Sequence, residues 1–189
     1  DEIQNNPYLD KFNYKRKKSI PYKATTGKEV FKQLLKTDEF FSSVCLLFIK
    51  RDFLIEKGLK FEPDIVHEDE LFTSMLYLRA QRTTYIPLCF YSRRVRPSST
   101  MTTPYSLRNI RSYFIIGRHL LSHSAVHIED KKIINLYLSK MLNAAVWRAH
   151  TMGLVDRLKV LFECIIHWMA YVRWRTLAVV LFKKYKLSQ

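Results

Sequence analysis

From Ser106 to the end of the chain, apolar residues recur at helical spacing, and this run constrains the fold more than any other feature. It divides into three segments, about 106–123, 128–150 and 154–185, with Gly153 as the break between the last two. With four glycines and six prolines in 189 residues, the chain lacks the turn punctuation of an all-β or repeat protein. Hydrophobic residues make up 48% of the sequence, enough to bury a core and to exclude wholesale disorder.

The first part of the chain is more mixed. Residues 1–24 are polar and carry the basic run Lys15 to Lys18, which reads as a loop or a loosely held strand. Thr26 and Glu29 match a capping box, and a short helix follows with Val30, Phe31, Leu34 and Leu35 on one face. Residues 42–50 read as a strand or a buried helix, and residues 51–58 as one or two helical turns stopped by Gly58. A helix is expected over 69–80 and a strand over 83–91, followed by a basic Ser/Thr/Pro-rich loop to residue 105. The sequence thus predicts a helix-rich mixed α/β fold, with regions 1–105 and 106–189 meeting where the all-helical pattern begins.

The formal net charge of +15 calls for an anionic partner: nucleic acid, a lipid surface or a phosphorylated substrate. No paired Cys/His, ribonucleoprotein motif or helix-turn-helix pattern supports nucleic acid. Cys45, Cys89 and Cys164 are scattered and odd in number, which implies no disulfide framework and a reducing, cytosolic setting. The polar, acidic start is not a signal peptide, and the chain reads as part of something longer. Residues 154–186 interleave Trp168 and Trp174 with Lys159, Arg173 and Arg175, which interrupt any membrane span. Two readings stand for this stretch: an amphipathic element lying on an anionic bilayer, or ordinary core.

Chemistry is suggested by three stretches in order: Phe48 to Phe61 (FIKRDFLIEKGLKF), His67 to Phe72 (HEDELF) and Tyr85 to Thr100 (YIPLCFYSRRVRPSST). Together they resemble the C-terminal half of the catalytic domain in bacterial family 2 glycosyltransferases, over roughly residues 25–103. The resemblance implies an acceptor-side half of a GT-A fold followed by the C-terminal helices. It gives Asp69 the role of catalytic base, taking a proton from the acceptor hydroxyl as that oxygen attacks the donor sugar. An alcohol is a weak nucleophile, so a positioned carboxylate is what the step requires, and the positive end of a helix favours its ionised form. The plain alternative is that three acids at a helix start simply complement the dipole.

Around Asp69, Glu68 reads as a supporting or acceptor-binding acid, and His67 as a sugar or phosphate contact or a structural hydrogen bond. In the basic loop, Arg94 and Arg96 suit a diphosphate through their guanidinium forks, with Ser98 and Ser99 as hydroxyl donors. The Asp-x-Asp motif of such enzymes is absent from this sequence. The resemblance therefore places the divalent metal (Mg or Mn) of a complete enzyme on ligands outside this chain. The implied partners are a nucleotide sugar and a carbohydrate or lipid-linked acceptor in polysaccharide or glycolipid synthesis. The implied location is cytoplasmic and peripheral, at the inner face of a membrane. The competing expectation is a non-catalytic membrane-docking or protein-interaction module. A sugar hydrolase needs two carboxyl groups flanking the bond, which adjacent Glu68 and Asp69 cannot be taken to provide.

Overall fold

A computed structural model describes residues 23–88, 91 and 103–183. The capping box forms as its residue types dictate: the Glu29 N–H donates to Thr26 Oγ1 at 3.3 Å and the Thr26 N–H donates to the Glu29 carboxylate at 3.1 Å. Helix α1 (Gly27–Thr37) follows, burying Val30, Phe31, Leu34 and Leu35, and ends at Asp38 in the left-handed region. Its first residue has to be glycine. A Cβ there would lie 2.3 Å from the Tyr77 carbonyl oxygen, because the start of α1 docks against the end of helix α3 (Glu68–Arg79). The short helix α2 (Arg51–Glu56) stands between them in sequence.

The expected mixed α/β architecture, with a GT-A half, is corrected by the structure. Seven α-helices carry the described residues, and no strand or sheet occurs among them. The stretch expected as a strand contributes one isolated antiparallel bridge, Thr83 with Thr25, closed by N···O distances of 2.7 and 3.0 Å. β-branched and aromatic residues favour a strand only where a partner ladder exists, and here Thr25 is that partner for one residue before α1 begins. Beyond the bridge Ile86 and Leu88 are exposed, while Cys89 and Phe90 lie outside the described residues. Residues 42–50 form neither a strand nor a buried helix but hold a single 3-10 turn, Val44–Leu46.

The C-terminal segments fold as helices α4 (Leu107–Val126), α5 (Lys131–Arg148), α6 (Leu154–Glu163) and α7 (Trp174–Phe182). Helix α5 is central: it packs on α1, α4 and α7 and buries Ile134, Leu138, Leu142 and Val146 completely. One hydrophobic core joins α1 and α3 to the later helices. The last expected segment, 154–185, is broken where no proline or glycine stands. Helix α6 runs on through a π turn, Cys164–Trp168, and then stops. Asn143 of α5 supplies the break: its Nδ2–H donates to the Tyr171 carbonyl at 2.8 Å, and its Oδ1 accepts from the Arg173 N–H at 2.9 Å and the Thr176 hydroxyl at 2.6 Å. Helix α7 is therefore capped from another helix. Trp168 locks the same region by stacking on Phe114 of α4, with ring centroids 5.5 Å apart, over Gly117, where a Cβ would come within 2.6 Å of the indole.

Candidate active site

Helix α3 begins with Glu68, Asp69 and Glu70 in its first turn, so three acids meet the positive end of the helix. Its entry residue, His67, sits at φ 66°, a left-handed conformation that costs a non-glycine residue roughly 1 kcal/mol or more. The surroundings hold it there. The His67 ring stacks on Tyr113 of α4 at 4.8 Å, and Asn109 Nδ2–H donates to its Nε2 at 3.1 Å. Asn109 also accepts from the Ser106 N–H at 3.0 Å, so one side chain fixes the starts of both α4 and α3. Accepting at Nε2 requires the neutral imidazole. The His67 pKa is accordingly lowered, by burial first and by the nearby Arg148 cation second, against the pull of Glu68.

The three acids have different fates. Glu68 is exposed, while Asp69 and Glu70 are partly buried. The Glu70 carboxylate accepts from the Tyr137 hydroxyl of α5 and from Ser42. Burial raises the Glu70 pKa to about 7, hydrogen bonds oppose that rise, and the negative charge of Asp69 adds to it. Tyr113 and Tyr137 are likewise held protonated by burial and by the charges of Glu70 and Asp69. Asp69 adds to these shifts through its charge and does not itself line the adjoining cleft. The cluster opens on a cavity of about 290 Å³ between α1, α3, α4 and α5, whose polar lining is Asp38, Glu70, Tyr113, Tyr137, Lys140 and Arg148, with Lys140 paired to Asp38. At its rim the Arg148 guanidinium lies 4.4 Å over the Tyr105 ring, and the Tyr105 hydroxyl donates to the Ala145 carbonyl at 3.0 Å.

This arrangement holds a buried acid, aromatic side chains, the Tyr113 hydroxyl and the Arg148 cation around one small cleft, with Asp69 next to the acid in sequence. A larger and more open depression, about 680 Å³, lies beside the starts of α1 and α5. Its charges are matched among themselves: Lys28 lies 2.6 Å and His123 3.0 Å from the Asp130 carboxylate, and Arg79 donates to the Lys57 carbonyl at 2.6 Å. The cleft at α3 pairs Lys140 with Asp38 in the same way, but it also holds the buried Glu70 with its raised pKa, which makes it the stronger chemical site.

Of the residues singled out in the sequence, His67, Glu68 and Asp69 come together at the start of α3. Arg94, Arg96, Ser98 and Ser99 lie outside the described residues. Sequence reasoning missed Glu70, Tyr113, Tyr137 and Arg148. Glu70 was within the same acidic run, but the tyrosines sit at helical spacing among core residues and carry no signal of their own. Among the described residues, no group of three His, Cys, Asp or Glu side chains is arranged to hold a metal ion. Glu70, the acid turned most deeply into the cleft, is already engaged by Tyr137. Among the described residues, no helix is long and apolar enough to cross a membrane. No family model matches the sequence, and neither a curated protein nor a solved structure matches it.

Proposed function

We propose that this chain takes part in transferring a sugar from a nucleotide-sugar donor to a hydroxyl acceptor, in polysaccharide or glycolipid synthesis, with Asp69 as the base. The observation behind the reading is the coupled pair of acids at the start of α3. Glu70 is raised to about 7 and Asp69 stands beside it in the first helical turn. In this reading Glu70 keeps its proton near neutral pH and the neighbouring Asp69 is given the role of removing a proton from an alcohol. Tyr113, held protonated, serves as a hydroxyl donor to a polyhydroxylated acceptor, while the Tyr137 hydroxyl holds Glu70 in place. His67 acts through the backbone turn it stabilises, and Glu68 stays at the solvent edge. Arg94 and Arg96, with Ser98, are assigned the donor diphosphate. The proposal rests on this site chemistry and not on a GT-A architecture. It carries with it a cytoplasmic, membrane-peripheral location and a carbohydrate or lipid-linked acceptor.

The test is turnover of nucleotide sugars by the protein carrying Asp69→Asn. Turnover should fall about 10²–10⁴-fold while donor binding stays unchanged. Unchanged turnover removes Asp69 from the mechanism. The second reading, a non-catalytic docking or interaction module, draws on the uncovered apolar face of α6. It gains if no nucleotide sugar binds.

A further inference from the structure

Helix α6 and its π-turn extension are apolar on two opposite sides. The inner side buries Val160, Cys164 and Trp168, four residues apart each time. The outer side carries Leu154, Leu158, Phe162, Ile165, Ile166 and Met169, again at steps of three and four, and every one of them is exposed. Phe162 is 67% exposed, Ile165 61% and Leu154 63%. The π turn widens the helix just where Ile165 and Ile166 both face outward. Scattered exposed leucines need no explanation, but a continuous stripe along about four turns does.

The charge around the stripe selects its occupant. Just past its end, Trp174 is 73% exposed between the exposed Arg173 and Arg175. At the other end, Arg157 donates to the Val180 and Leu181 carbonyls, bringing the exposed Phe182 and Lys183 beside the start of α6. Lys183 lies 4.3 Å over the Trp147 ring. Of the acids on α6, Glu163 is paired with Arg118 and Asp156 lies 3.5 Å from Lys159. An apolar stripe ended by tryptophan and cations, on a chain of net charge +15, is complementary to an apolar layer under an anionic surface. A second copy of the chain meets the same face with the same positive charge and is repelled.

We infer that the outer face of α6, from Leu154 to Met169, docks on an anionic lipid bilayer and lies in its plane, with Arg173, Trp174 and Arg175 at one end. This rests on the peripheral location in the function proposed above and is independent of sugar transfer. The experiment is co-sedimentation of the full chain with vesicles of phosphatidylcholine alone and with added phosphatidylglycerol. The wild type should pellet with the anionic vesicles and be released by high salt. Phe162→Ser with Ile166→Ser should weaken binding by roughly tenfold or more, with helix content and melting temperature kept. Arg173→Glu with Arg175→Glu should weaken it on anionic vesicles and leave the weak binding to neutral ones alone. Asp69→Asn should bind vesicles like the wild type, so loss of turnover and loss of docking are read separately. A wild type that stays in the supernatant overturns the inference, as does equal binding by the serine variant. A wild-type dimer that the serine variant converts to monomer overturns it too, by making the face a contact between copies.

Discussion

The start of α3 and the outer face of α6 break the same rule in opposite directions. At α3, ionisable groups stand inside, walled by tyrosines and by three other helices. At α6, large apolar side chains stand outside, exposed among the described residues. Polar groups inside and apolar stripes outside are the informative departures from ordinary burial, so these two places are where function is sought. They differ in what holds them. The α3 cluster is built by convergence, from Asn109 of α4 and from Tyr137 and Arg148 of α5, so a change there propagates into protonation and stability. The α6 stripe is built by the periodicity of one helix, so a change there is felt only by whatever docks on it.

That contrast can be broken or sharpened in descending order of effect. Trp168→Ala, on the inner side of α6, empties the space between Phe114 and Gly117 and should cost about 3–5 kcal/mol in chemical denaturation. Asn143→Ala takes the acceptor away from the Arg173 N–H and the Thr176 hydroxyl and leaves the Tyr171 carbonyl with the Ser139 hydroxyl alone. It should cost about 1–3 kcal/mol and speed hydrogen exchange in α7 before α5. Glu70→Gln should change the pH dependence of stability. With an ordinary value of 4.5 and a folded value near 7, the folded wild type holds a proton that the unfolded chain has lost. Stability therefore falls as pH rises from about 4.5 to about 7, and Glu70→Gln should flatten that slope and be more stable at pH 8 by ~1–3 kcal/mol. Phe162→Ser, on the outer side of α6, should change stability by less than about 0.5 kcal/mol. If Phe162→Ser costs as much as Trp168→Ala, the two sides of α6 are not the different environments described above.

What the sequence made legible was local. The Thr26–Glu29 box, the helix read over 69–80 and observed at Glu68–Arg79, and the first two helical segments after Ser106 all follow from spacings of three and four residues. What it concealed depends on residues far apart in the chain. Residues 83–91 have strand-like composition, but one bridge to Thr25 is all the partner the described residues offer. The break before α7 is made by Asn143, thirty residues upstream of Arg173, and nothing near Arg173 announces it. Asp69 could be picked from the acidic run, whereas the choice of Glu70 as its coupled partner needed Tyr137, which looks like any core tyrosine until α5 packs against α3.

The coupling of the two acids is the claim on which the site depends, and a carbon-detected NMR titration of the Glu70 carboxyl tests it most directly. The account predicts a midpoint near 7 in the wild type, moving down when Asp69→Asn removes the neighbouring charge. A midpoint near 4.5 that ignores Asp69→Asn would contradict it, and would leave the start of α3 as three acids serving a helix dipole.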